Sequence, residues 1–102
     1  QKLSTRVFGW KENFREALSK ILKYQKINEV EFVSIKFSQN GFLTLEEKNL
    51  KTIFLGIDPK IVETQLQIIG NFKNQLKNNV LEKIYNIDLT DPINPKIKVF
   101  KP

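Results

Sequence analysis

Apolar residues recur along this chain with two different periods, and the changes of period divide it into elements. Between Glu12 and Tyr24 the apolar positions Phe14, Leu18, Ile21 and Leu22 stand at i, i+4, i+7 and i+8, which is one face of an α-helix. Glu12 and Glu16 near its start, and Lys20 and Lys23 near its end, suit the helix dipole. From Glu29 to Phe37 the chain is dense in Val, Ile and Phe, and alternation over Val33, Ile35 and Phe37 predicts a strand. Gln39-Asn40-Gly41 follows; Asn-Gly is a strong hairpin signal, so Phe42 to Leu45 reads as the return strand. Glu46 to Asn49 reads as a solvated polar turn, with the two adjacent glutamates directed to opposite faces. Leu50 to Leu55, stopped by Gly56, is then a third strand of an antiparallel meander.

Asp58-Pro59 announces a second helix, because an N-cap side chain is followed by proline at the first helical position. Val62, Leu66, Ile69, Phe72 and Leu76 share one face, and the helix is expected to run to about Lys77, with Asn78-Asn79 able to end it. Gly70 inside it costs about 1 kcal/mol relative to alanine; it either allows close packing against the sheet or is a weak spot. Ile84 to Leu89 alternates again, Asp91-Pro92 and Asn94-Pro95 form a turn, and Lys96 to Lys101 is a final strand. Ile97 and Val99 fall on one of its faces, Lys96, Lys98 and Phe100 on the other. Gln1 to Trp10 reads as a lead-in segment or a short strand. The fold class is α+β: an antiparallel sheet of about five strands, mixed at its edge, with two helices packed on one face. The sequence shows no internal repeat.

Composition adds what the pattern leaves open. At 102 residues, 40% hydrophobic and 27% charged, the chain makes one globular domain with a modest core. It has no cysteine and no histidine, which removes disulfides, thiol nucleophiles, Cys/His zinc sites and imidazole catalysis. The serines therefore lack a histidine base. Asp88 and Asp91 offer too few oxygens for a metal, and Asp88 reads as a cap on nearby backbone groups. Gly56-Ile57-Asp58-Pro59 is no phosphate cradle, since proline removes an N–H and aspartate repels phosphate. The expectation is a non-enzymatic protein with no cofactor and no metal.

The net charge of +6 comes from 17 basic residues against 11 acidic ones, but only Arg6 and Arg15 are arginine. Scattered lysine solvates a surface, whereas arginine supplies bidentate phosphate and guanine contacts. The charge accordingly reads either as a coding-composition effect, alongside many Ile and Asn, or as a binding signal. A basic nucleic-acid-binding domain is the competing reading, and an anionic-lipid binder a third. Against nucleic acid, most of the eight phenylalanines are expected to turn into the core. No run of residues is apolar enough to span a bilayer, no signal-peptide pattern is present, and a chain beginning at Gln1 is expected to be a piece of a longer protein.

The final strand is the remaining candidate site. At a sheet edge, its free N–H and C=O groups can take up a strand from a partner. Lys96 and Lys98 either block edge aggregation or meet an acidic segment, with Phe100 as an exposed aromatic anchor beside them.

Lys51 to Lys98 resembles the distal extracytoplasmic region of the FtsQ/DivIB bacterial cell-division proteins. In that family a strand ends in Leu-Gly, here Leu55-Gly56. An amphipathic helix follows, and then a strand of the form seen here as Tyr85-Asn86-Ile87-Asp88-Leu89, with a terminal strand corresponding to Lys96–Phe100. With the opening helix and the Asn-Gly hairpin, the likeness covers about Lys11 to Lys101, and Val7-Phe8-Gly9-Trp10 is similar to cyanobacterial members. One departure is Thr90, where the family often has arginine. The resemblance implies a bitopic inner-membrane protein whose transmembrane helix and POTRA domain lie upstream, residues 1–10 leading in and residues 11–102 forming one β-domain on the extracytoplasmic side. It implies a non-enzymatic divisome scaffold that binds FtsB/FtsL-like partners by strand addition, placing Lys96, Ile97, Lys98, Val99 and Phe100 in the partner groove, with Tyr85 on the adjoining strand.

Overall fold

The computed structural model describes residues 4–100. Strand β1 (Arg6–Phe8) leads through a 3-10 turn into helix α1 (Arg15–Ile27), followed by β2 (Phe32–Phe37), β3 (Leu43–Glu47) and β4 (Lys51–Gly56). A second 3-10 turn opens α2 (Val62–Gln75), and α3 (Asn78–Leu81), β5 (Ile84–Asp88) and β6 (Lys96–Val99) follow among the described residues. The six strands form one sheet in chain order. The pairs β1/β2 and β4/β5 are parallel and the other three antiparallel.

The fold is α+β, as the periodicity predicts, with two differences. The sheet has six strands rather than about five, because Arg6–Phe8, too short to alternate visibly, pairs with β2 and belongs to the sheet. The sheet is also mixed throughout: each long helix is a crossover between parallel neighbours, and a parallel pair cannot be closed by a hairpin. Right-handed crossovers travelling in the same direction put both helices on one face. Accordingly α1 and α2 touch each other, with Lys20 of α1 3.4 Å from Glu63 of α2.

Ile21, Leu66 and Ile69 of the helices are fully buried on Ile35, Leu45, Ile53 and Ile87 of the sheet. Alternation sends Ser34, Lys36, Thr44, Glu46, Thr52 and Phe54 to the opposite face, which no helix covers. Phe42 joins them, its ring set edge-on to Phe54 with centroids 6.4 Å apart. Phe8 lies there as well, under Lys36. The phenylalanines therefore divide between two environments: Phe14, Phe32, Phe37 and Phe72 belong to the core, and Phe8, Phe42, Phe54 and Phe100 do not. The expectation that most are core residues fails because strands with one solvated face place aromatics at either phase.

Local signals are realised with small shifts. The Asn-Gly hairpin closes on Ser38 and Phe42, with Gly41 at φ 87°, and Ser38 N–H donates to Phe42 O at 3.0 Å. Asp58 caps as expected, accepting from Lys60 N at 2.9 Å. The second helix stops at Gln75, where Leu76 is extended (φ −79°, ψ 138°), and Asn78-Asn79 begin α3 rather than end α2. The final strand ends at Val99; Lys101 lies outside the described residues.

Gly70 faces α1 and not the sheet. A Cβ there would come 2.2 Å from the Tyr24 hydroxyl oxygen and 3.3 Å from its ring carbon. Gly70→Ala is therefore expected to destabilise by about 1–2 kcal/mol through overpacking, despite alanine's better helix propensity. In a Tyr24→Phe background the same change is expected to be near neutral. Urea unfolding of the four proteins of this cycle measures the coupling.

Candidate functional site

Strand β6 is at one end of the sheet, and every residue of it is solvent-exposed. Its inner side is held by β5 through the pairs Asp88–Lys96, Ile87–Ile97, Asn86–Lys98 and Ile84–Val99, with a register shift between Ile84 and Asn86 that displaces Tyr85. Phe100 N–H donates to Lys83 O at 2.8 Å, so the backbone just past β6 is still bonded inward. In an antiparallel ladder successive residues bond to opposite sides. The N–H groups of Val99 and Ile97 therefore point away from β5, toward the open edge.

The side chains divide as alternation requires. Ile97 and Val99 share the helix-side face with buried Ile87 and Ile84 but are themselves partly exposed, at 37% and 44%. On the other face the Tyr85 and Phe100 rings meet edge-to-face with centroids 5.0 Å apart, and Lys98 Nζ stands 5.7 Å from the Tyr85 centroid. Tyr85 is 50% and Phe100 56% exposed, so this aromatic pair is a surface feature resting on the rim of the sheet and not a core contact. All six residues singled out from the sequence are thus brought together along one edge: Tyr85, Lys96, Ile97, Lys98, Val99 and Phe100.

The turn before β6 is fastened by Asp88. Its Oδ1 accepts from Thr90 Oγ1 at 2.6 Å and from Thr90 N at 2.9 Å. Those two bonds, aided by Lys96 across the strand pair, hold its carboxyl below the ordinary range against the small opposing effect of burial. Thr90 also packs over Gly56, its Cγ2 3.3 Å from where a Cβ would stand. Asp91 completes the turn by accepting from Ile93 N (3.1 Å) and Asn94 Nδ2 (3.2 Å). A depressed carboxyl contributes stability above its unfolded pKa and loses that contribution as pH falls through the folded value. Thr90→Val is expected to move the acid-side titration of Asp88, read from its side-chain carboxyl shift in NMR, up toward the ordinary range; an unmoved titration would mean that the hydroxyl bond is not the principal cause.

Sequence reasoning overlooks two polar side chains. Glu47 is not part of a solvated turn: its side chain is 0% exposed, inside β3. Its Oε1 accepts from Asn49 N (2.7 Å) and Leu50 N (3.1 Å), and its Oε2 from Glu31 N (2.8 Å) and Lys73 Nζ (2.5 Å). Gln65 is also fully buried; its Nε2 donates to Leu55 O (2.7 Å) and Leu89 O (2.8 Å), tying together the ends of the two parallel strands beneath α2. Gln65 Oε1 is the one buried side-chain polar atom without a partner among the described residues. Nothing in local periodicity separates these residues from surface polar groups: beside the local N–H groups of Asn49 and Leu50, Glu47 is held by Glu31 N and Lys73, and both acceptors of Gln65 lie in distant segments.

Among the described residues no group of three or more acidic side chains converges as metal ligands, and no helix is long and apolar enough to cross a membrane. Compared with known protein families and with curated proteins, the chain matches none of them.

Proposed function

We propose that β6 is the docking edge of a non-enzymatic scaffold of the FtsQ/DivIB type, taking up an extended segment of a divisome partner of the FtsB/FtsL kind on the extracytoplasmic side of the inner membrane. The observation that carries this reading is the edge itself: a terminal strand with outward-facing N–H groups at Ile97 and Val99, flanked by the exposed Tyr85–Phe100 pair. Main-chain bonds supply generic affinity in such augmentation, while side chains beside the strand select the partner. Lys96 and Lys98 favour an acidic segment, and Phe100 and Tyr85 offer an aromatic anchor.

Amide-resolved NMR titration tests the proposal, with extracytoplasmic segments of candidate divisome partners and a short single-stranded oligonucleotide added separately. Shifts centred on Lys96–Phe100 and Tyr85, given only by a protein segment, are the expected result. Phe100→Ala is expected to weaken that binding by about 1–2 kcal/mol, roughly tenfold. An unchanged affinity would remove the aromatic anchor from the site.

The uncovered sheet face supports a second reading. It carries two separate aromatic positions, Phe8 beside Lys36 and Phe42 against Phe54, on which bases could stack, and single-strand binding by stacking needs no sequence motif. It predicts shifts at these residues with the oligonucleotide alone, and an affinity that collapses between low and physiological salt.

A further inference from the structure

The chain is built twice, although its sequence shows no repeat. Strand, 3-10 turn, helix, strand, strand occurs from β1 to β3 and again from β4 to β6, with α3 inserted in the second unit. The registers coincide. Val7 pairs with Ile35 and Ile35 with Leu45; correspondingly Ile53 pairs with Ile87 and Ile87 with Ile97. The register shift between Phe32 and Ser34 has its counterpart between Ile84 and Asn86. Even the closing bond is repeated: Lys48 N donates to Glu31 O at 2.9 Å, as Phe100 N does to Lys83 O at 2.8 Å.

In this correspondence β6 stands for β3 and β1 stands for β4. Inside the chain β3 and β4 are neighbours, paired antiparallel with Thr44 opposite Phe54, Leu45 opposite Ile53, Glu46 opposite Thr52 and Glu47 opposite Lys51. The two outer edges of the sheet are therefore shaped for each other. Carried onto two copies of the chain, the same register sets Lys96 of one beside Phe8 of the next, Ile97 opposite Val7, Val99 opposite Thr5, and Lys98 opposite Arg6. The apolar pair would continue the helix-side core, and Lys96 would lie against an aromatic ring. Lys98 and Arg6 would stand directly opposed, and like charges at facing positions of a strand pair are unfavourable.

We propose that β6 and β1 form a self-complementary pair of edges, and that Lys98 facing Arg6 is what keeps a second copy of this chain from extending the sheet. Such a contact is head-to-tail, so without the charge opposition it would continue from copy to copy beyond the dimer, into a ring or an open assembly. Where β6 does receive a partner strand, the residue facing Lys98 is then acidic; this last consequence rests on the docking reading above, whereas the self-pairing does not.

Charge exchange tests it by sedimentation velocity, independently of any partner. The wild-type chain is expected to remain monomeric as concentration rises. Lys98→Glu, which sets a glutamate opposite Arg6, is expected to raise the weight-average mass by about twofold or more, with species beyond the dimer. Arg6→Glu should do the same, and the Lys98→Glu/Arg6→Glu double variant, again like-charged, should return to monomer. In the Lys98→Glu background, Ile97→Cys and Val7→Cys should form a disulfide between copies, since facing residues bring their Cα atoms within bridging distance. Melting curves establish that each variant is folded, as expected for exposed positions. A Lys98→Glu protein as monomeric as the wild type, a double variant that associates as strongly as the single ones, or a wild type that already polymerises would overturn the proposal.

Discussion

Replacing Glu47 by alanine is expected to lower the stability of the fold by about 3–5 kcal/mol, a large share of the total for a domain of this size. The carboxylate has no water to fall back on, and its oxygens accept from three backbone N–H groups and from Lys73. Alanine leaves three backbone donors without their acceptor, that of Leu50 buried and those of Glu31 and Asn49 partly so, and strands the Lys73 ammonium beside them; an orphaned buried group costs on the order of 1–3 kcal/mol. Glutamine is expected to rescue little, because one of its two positions becomes an NH₂ that meets donors where Glu47 presented an acceptor. Lys73→Met should be milder, about 1–2 kcal/mol, since the three backbone donors still satisfy the carboxylate. Urea unfolding of the three variants orders them; equal losses for Glu47→Ala and Lys73→Met would show that the ion pair, rather than the backbone bonds, dominates.

Val99→Pro is expected to weaken partner binding by about 2–3 kcal/mol, roughly 30- to 150-fold, while leaving the domain folded. Its N–H points to the open edge, so proline removes a donor that the isolated domain does not use internally, and proline is tolerated on the outer side of edge strands. The added strand would lose one ladder bond, keep an unpaired carbonyl and meet the pyrrolidine ring. Lys98→Pro is the internal contrast: its N–H points toward β5, so it should lower the melting temperature clearly. Isothermal titration with a partner segment, accompanied by melting curves, separates the two. A Val99→Pro protein that melts normally and binds as tightly as the wild type would rule out strand addition at β6.

Much of this architecture is legible in the order of residues alone. Alternation over Val33 to Phe37 and Ile84 to Leu89, the helical spacing of Phe14, Leu18 and Ile21, the Asn40-Gly41 turn and the Asp58-Pro59 cap each express a property confined to a few neighbouring residues. The edge residues are legible for the same reason, since Lys96 to Phe100 alternate in a terminal segment. Three features are not. Arg6–Phe8 lies in a segment that reads equally as a lead-in or a short strand, carries too few residues to show a period, and is decided as a strand only by pairing with β2. Gly70 reads as a sheet contact or a flaw, whereas its close neighbour is Tyr24 of α1. Glu47 reads as solvated because, beyond the local N–H groups of Asn49 and Leu50, two of its partners are contributed by the approach to β2 and by α2.

The sequence by itself determined the class of the fold, the approximate places where most elements begin and end, and the exclusion of thiol and imidazole chemistry, because each depends on local periodicity, turn chemistry or residue inventory. Only the tertiary structure decided that the sheet is mixed throughout and not just at its edge, that β6 and β1 are its two edges, and that four phenylalanines lie outside the core. It also revealed that the chain repeats one strand–helix–strand–strand unit whose outer edges match. Pairing partners are chosen by burial and hydrogen bonding across long stretches of chain, and residues that never adjoin in sequence leave no periodic trace of meeting in space.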